Sequence, residues 1–359
     1  MNRLSFISTS YLAKNFFLNS SLILALIFSA QSCKSPTGPV ETQPGRTDYI
    51  WTVDTLFSPV NVLSTIWGAS PNDVWITGAG GTVKDRLFHF DGTKWTNYEV
   101  PPGCYGNVLY GFSTDNVWIG GSDGKIWHFD GKSWALNFIY QPNGWQTVDI
   151  NDIWGTNPND VYAVGLVVYD HQMFQRGFIL HYDGTEWNKV YEANFYSQFR
   201  KIREENSKVY IDNLQFSYGI NGAPDTIQVY EYNDNALTKI YSNTLDKITY
   251  ESFNMIGEAV YFVISQDVFR YINGNFVKQF SINEANFGYQ IYGRNPEDIF
   301  IRMRDGLAHY NGTEVQYLFK FSNNFTSIMS VPAIFEKEVF FAVWDPIINI
   351  NMVLHGKLK

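Results

Sequence analysis

Apolar and polar residues alternate along most of this chain in runs of four to eight, and the runs are separated by Gly, Pro, Asn and Asp. A period of two places every second side chain on one face of a strand, so the pattern predicts short half-buried β-strands joined by tight turns. An apolar anchor recurs at Val74, Val117, Val161, Val209, Val260, Ile299 and Val339, at steps of 43, 44, 48, 51, 39 and 40 residues. A strand-built period in the forties predicts propeller blades, because one such unit cannot bury both of its apolar faces alone.

The first unit shows how each blade divides. Residues 62–69 read as strand a, Pro71-Asn72-Asp73 as a turn, 74–78 as strand b and 86–90 as strand c. Asp91-Gly92 makes the next hairpin, since Gly accepts the positive φ of a tight turn, and residues 94–100 form strand d. The last unit supplies strands near 325–331, 338–344 and 351–356 and then the chain stops, with no strand d. Ile50-Trp51-Thr52-Val53-Asp54 resembles the Lys94–Tyr98 stretch and precedes any strand a. The expectation is an all-β, seven-bladed β-propeller of four-stranded blades over residues 48–359, closed by this N-terminal strand, which pairs an otherwise open edge.

Two signatures mark the units. One is Ile66-Trp67-Gly68 running on to Asp73-Val74-Trp75, repeated as Ile153-Trp154-Gly155 with Asp160-Val161-Tyr162, Leu109-Tyr110-Gly111 with Asn116-Val117-Trp118, and Ile291-Tyr292-Gly293 with Asp298-Ile299-Phe300. The other is His89-Phe90-Asp91-Gly92 with Trp95, His128-Phe129-Asp130-Gly131 with Trp134, and His181-Tyr182-Asp183-Gly184 with Trp187, worn to His309-Tyr310-Asn311-Gly312. Together they resemble a bacterial propeller repeat that joins a Trp-Gly…Asp-Val-Trp half to a His-x-Asp-Gly-x-x-Trp half. The second half is similar to the Asp-box turn of sialidase-like propellers. The resemblance implies the propeller fold and no single activity.

Composition narrows the function classes. Aromatics make up 17% of the 359 residues and charged residues 17%, with a net charge of −9. That balance argues against a nucleic-acid surface, which needs clustered Lys and Arg. Only Cys33 and Cys104 occur, which excludes zinc ribbons, iron–sulfur sites and a disulfide scaffold.

The N-terminus reads as an address. Arg3 and Lys14 precede an apolar run, Leu22 to Phe28, with no acid before Cys33. The run is shorter than the roughly 20 residues a bilayer requires. Ala30-Gln31-Ser32-Cys33 resembles a bacterial lipobox, which makes residues 1–32 a lipoprotein signal peptide and Cys33 the lipidated first residue. Residues 33–47, rich in Pro, Gly and Thr, form a tether. The membrane is then met through the lipid alone, with the protein in the bacterial cell envelope. Losing Arg3 and Lys14 lowers the net charge to −11.

Candidate chemistry divides into repeated and unrepeated positions. The motif histidines His89, His128, His181 and His309 fall in different blades, too far apart to share an ion, so each is expected to bond within its own blade. Asp91, Asp130 and Asp183 are expected to cap their own turns, with the following Trp packed between blades. Trp67, Tyr110, Trp154 and Tyr292 on strand a are read as blade packing, with a position toward the channel as the alternative. No catalytic residue, metal site or cofactor is assigned.

Unrepeated residues gather on the face carrying the b–c loops and d–a connections, where residues 166–177 and 213–226 enlarge two b–c loops. Tyr105, Tyr140, Trp145, Asp170, His171, Arg176 and Tyr218 on that face form the candidate ligand site, since aromatics mixed with acid, base and imidazole suit stacking plus hydrogen bonding. The expected role is a monomeric, non-catalytic binding or scaffolding module for a glycan or envelope protein. The rival is a glycan-cleaving hydrolase or lyase with paired carboxylates on the same face.

Overall fold

A computed structural model describes residues 45–58, 61–80, 85–169, 174–217, 223–245, 251–321 and 328–359. The chain separates into Met1–Glu41 and a compact unit, Thr42–Lys359, which is all-β where described. The signal segment, Cys33 and most of the tether lie outside the described residues.

Each of units 1 to 6 folds as an antiparallel meander of four strands. Unit 1 runs Asn61–Ser70, Asp73–Gly80, Leu87–Phe90 and Trp95–Asn97 as strands a to d. The a strands of the next five units are Gly106–Ser113, Trp145–Asn157, Gln198–Glu205, Glu251–Ile256 and Phe287–Asn295. Units 5 and 6 are joined through a single parallel bridge, Ile256 to Gly293. In the last sheet, short segments Ile328–Met329 and Ala333–Ile334 pair with Glu338–Asp345, followed by Ile350–Leu358. The N-terminal strand Tyr49–Leu56 pairs along that final strand, from Tyr49 opposite Leu358 to Leu56 opposite Asn351.

The anchor that sets the period is buried in every unit. Val74, Val117, Val161, Val260, Ile299 and Val339 are 0% exposed and Val209 is 5%, so the degenerate units hold the same register as the clear ones. Motif tryptophans then join neighbours. Trp134 of unit 2 meets Trp75 of unit 1 edge-on at 5.9 Å, and Trp187 of unit 3 meets Trp118 of unit 2 at 5.5 Å. Buried aromatic edges of this kind add about 0.5–1.5 kcal/mol each beyond the area they cover.

The Asp-Gly turns form as their residue types dictate. Asp91 Oδ1 accepts from Thr93 N and Lys94 N, both at 2.9 Å, and from Thr93 Oγ1 at 2.6 Å. Asp130, Asp183 and Asn311 repeat the pattern, with φ near +90° at the following Gly. These bonds hold the Asp91 and Asp183 carboxyls down at about 2.

Two local expectations are corrected. Strand d of unit 1 ends at Asn97, short of residue 100. The insertion at 166–177 is an extension of the b–c hairpin, paired from Leu166 opposite Gly177 out to Tyr169 opposite Phe174. Pairing along the extension gives its backbone groups partners within the sheet.

Candidate functional site

The repeated histidines tie strands within their own units. His89 Nε2 lies 2.7 Å from Asp73 Oδ1, His181 Nε2 2.7 Å from Asp160 Oδ1, and His309 Nε2 2.7 Å from Asp298 Oδ1. His128 meets Asn116 at 3.2 Å, and the last unit has His355 with Glu338 at 2.8 Å. Each imidazole also lies against a strand-b aromatic, as His89 does on Trp75 at 4.1 Å. Burial pushes the Asp73 carboxyl up, but hydrogen bonds from His89, Thr114 and Trp75 outweigh it and leave it below the ordinary carboxylate value. No group of three or more His, Cys, Asp or Glu among the described residues is arranged to hold a metal ion.

Of the residues nominated on the loop face, the structure brings some together. Asp170, His171 and Tyr218 lie outside the described residues. Tyr140 donates to Glu192 Oε2 at 2.7 Å and Tyr169 to Glu192 Oε1 at 3.0 Å. Lys189 Nζ approaches Glu192 to 3.3 Å and Arg176 to 3.8 Å. Burial pushes the Glu192 carboxyl up, but the two phenols and Lys189 bring it below its ordinary value. Burial, with Glu192 beside it, pushes the Tyr169 phenol up to about 12. Trp145 packs on the core shared by units 2 and 3. Tyr105 stands apart, under the Arg86 guanidinium at 3.9 Å. Both Glu192 oxygens are therefore occupied by side chains of the protein itself. Glu192 carries no motif, and nothing in the sequence singles it out.

The a strands build a different site. A cavity of about 300 Å³ is lined by residues from the a strands of units 1 to 6 and by Val331, Pro332 and Ile334 of the last. Trp67, Tyr110, Trp154 and Tyr292 occupy one register in units 1, 2, 3 and 6, opposite Trp75, Trp118, Tyr162 and Phe300. These side chains line the cavity and also pack between blades as expected, with Tyr292 only 3% exposed inside a core cluster and Trp67, Tyr110 and Trp154 against others. Arg203 and Asn254 hold the same register in units 4 and 5, opposite Tyr210 and Tyr261. Counting from the anchor misses them. Units 1, 2, 3 and 6 carry a bulge after the motif Gly, and units 4 and 5 do not. The same count lands there on Ile202 and Phe253, which face the core.

Polar side chains in this lining stitch neighbouring units together. Apart from the Ile256–Gly293 and Ser122–Asp149 bridges, an a strand pairs on one side only, so its other edge carries backbone groups that need partners. Leu109 N donates to Thr65 Oγ1 at 3.2 Å, Ile202 N to Asp152 Oδ2 at 2.9 Å, and Tyr110 Oη to Gly155 O at 2.8 Å. Lys201 Nζ donates to Phe253 O at 3.2 Å and Asn254 Nδ2 to Ile291 O at 3.1 Å.

Charge is concentrated on the unit 4 side. Arg203 Nη1 pairs with Asp152 Oδ2 at 2.5 Å, both side chains about one-tenth exposed. Arg200 Nη2 lies 2.8 and 2.9 Å from the two oxygens of Asp212. Lys201 donates to Asn254 Oδ1 at 3.0 Å. Burial and the nearby Arg203 push its ammonium down to about 8, against the opposing pull of Asp152 and Asp212.

No family model matches this sequence, and no curated protein matches it. Solved structures do match in shape. YCF48 bound to D1 peptide aligns with TM-score 0.57 and 13% identity over 89% of this chain and 100% of its own. Oligogalacturonate lyase in complex with manganese aligns with TM-score 0.55 and 11% identity over 89% and 99%. A six-bladed β-propeller lectin of Aleuria aurantia aligns with TM-score 0.45 and 11% identity over 84% and 93%. At these identities the likeness is one of fold: the chain is a β-propeller of repeated four-stranded blades.

Proposed function

We propose that the chain closes as a seven-bladed propeller, with Tyr49–Leu56 as the outer strand of the last blade, and acts as a non-catalytic binding module for a glycan or envelope protein. The companion proposal is a secreted protein held in the cell envelope by lipid on Cys33. The observation that carries the binding role is the convergence of Trp67, Tyr110, Trp154 and Tyr292 on one cavity. At about 300 Å³ that cavity is at the lower end of small-molecule sites. It suits one ring-sized unit of a larger ligand: a terminal sugar or the last residue of a peptide. Indole and phenol faces supply apolar contact to such a unit, and the buried polar groups around them fix its orientation. YCF48, which shares the fold, was solved with a peptide.

Trp67 and Trp154 give the cavity its own optical signal. Binding is expected to shift tryptophan emission, and Trp154→Ala is expected to weaken retention on an array of bacterial glycans and peptides by about 10-fold, the worth of one stacked ring. Unchanged retention by a folded Trp154→Ala protein would rule the cavity out as the ligand site.

A further inference from the structure

Resting on the reading of this cavity as the ligand site, we infer that the ligand unit it accepts carries a carboxylate, recognised by Arg203. The first ground is the charge around the site. Arg203 lines the cavity, and its strand also carries Arg200 and Lys201; Arg203 pairs with Asp152 and Arg200 with Asp212. Lys201 donates only to the neutral Phe253 O and Asn254 Oδ1, so this strand carries one cation with no carboxylate paired to it among the described residues, in a chain whose net charge is −9. A surplus of that sign, in a protein of the opposite sign, attracts an anion from solution.

The second ground is the geometry of Arg203. Its Nη1 is used by Asp152 and by Ile202 O. Its Nε and Nη2 have no partner among the described residues, and Arg203 lines the cavity. Asp152 holds the guanidinium in place, so little side-chain freedom is lost when a ligand binds. The open nitrogens present parallel donors, the arrangement that matches the two oxygens of a carboxylate. The aromatic ring of residues then covers the remainder of the unit. A neutral ligand uses the stacking faces and leaves these donors without an acceptor.

Two sources offer the same group: a hexuronic acid and the free C-terminus of a peptide. The test uses both, each with a neutral twin. The protein is titrated with methyl glucuronide, methyl glucoside, N-acetyl-dialanine and N-acetyl-dialanine amide, following tryptophan emission and heat. At least one acid should bind about 10-fold or more tightly than its twin, the worth of a charge-assisted hydrogen bond. The acid that binds names the source. The preference should shrink in high salt. It should also weaken as pH rises through about 8, where Lys201 loses its charge.

Removing both partners in Arg203→Gln/Asp152→Asn avoids a lone buried charge, and it should bring each acid level with its twin. Should that variant fail to fold, Arg203→Lys keeps the ion pair and loses the fork. It should weaken the acid about 10-fold. An acid and its twin binding equally to the unmodified protein overturns the carboxylate and leaves the cavity standing. Silence of all four probes into the high millimolar range overturns the cavity as a ligand site.

Discussion

Asp298 shows how much one repeated side chain carries. It accepts from His309 at 2.7 Å and pairs with Arg294 at 2.7 Å, and His309 is wholly buried. Gly45 lies over this pair so closely that a Cβ there would come within 2.5 Å of Asp298 and His309, which only a glycine allows. Asp298→Ala removes the carboxylate from Arg294 Nη1 and His309 Nε2, leaving Arg294 only the neutral acceptors Phe335 O and Tyr49 Oη, and is expected to cost about 3 kcal/mol in urea unfolding. The acid limb follows from the same contacts. Burial raises the Asp298 carboxyl, but His309 and Arg294 bring it below its ordinary 3.8. Its contribution is therefore complete above pH 3.8 and is lost as pH falls through the lower folded-state value. Unfolding midpoints of the unmodified protein and Asp298→Ala should converge in that acid range. An unchanged gap between them would remove the ion-pair explanation. That His309 bonds within its own unit was readable in the sequence. Arg294 and the Gly45 cover were not, because neither belongs to the repeated strand pairs.

At the scale of elements, the repeated anchor located strand b of every unit, and the Asp-Gly turns located the c–d hairpins of units 1 to 3. Units 4 and 5 show the limit. Both keep the buried anchor, so the fold tolerates loss of the motif. The missing bulge shifts their a strands by one residue against the anchor, and that moved Arg203 and Asn254 out of view. The terminal strand was visible through its likeness to a strand d. Its partner is Ile350–Leu358, and Trp51 fills the space over Gly356, where a Cβ would meet its ring at 2.7 Å. Deleting residues 49–56 bares an edge of nine residues and the apolar face beneath it. The shortened protein is expected to melt lower and to elute as higher-order species in size-exclusion chromatography with light scattering. A monomer of unchanged melting point would show that this strand has no closing role.

For the whole molecule, the address and the fold are separate properties of the chain. Cys33→Ser is expected to move the protein from the membrane fraction to the soluble envelope fraction, and persistence in the membrane would refute the lipid anchor. Cys104, the other thiol, is buried, and that burial pushes it up to about 12, far from the thiolate that reacts.

The sequence alone determined the unit, its period and its turns, because these depend on neighbours within about fifty residues and on side-chain chemistry that acts locally. Tertiary structure decided which side chains share a site. Trp67, Tyr110, Trp154, Arg203, Asn254 and Tyr292 come from six strands spread over more than two hundred residues and meet because each a strand turns the same register toward one cavity. Glu192 differs, since Tyr169 and Arg176 reach it within unit 3 and only Tyr140 comes from outside that sheet. Convergence on the cavity is a property of how units stack, and no single unit encodes it.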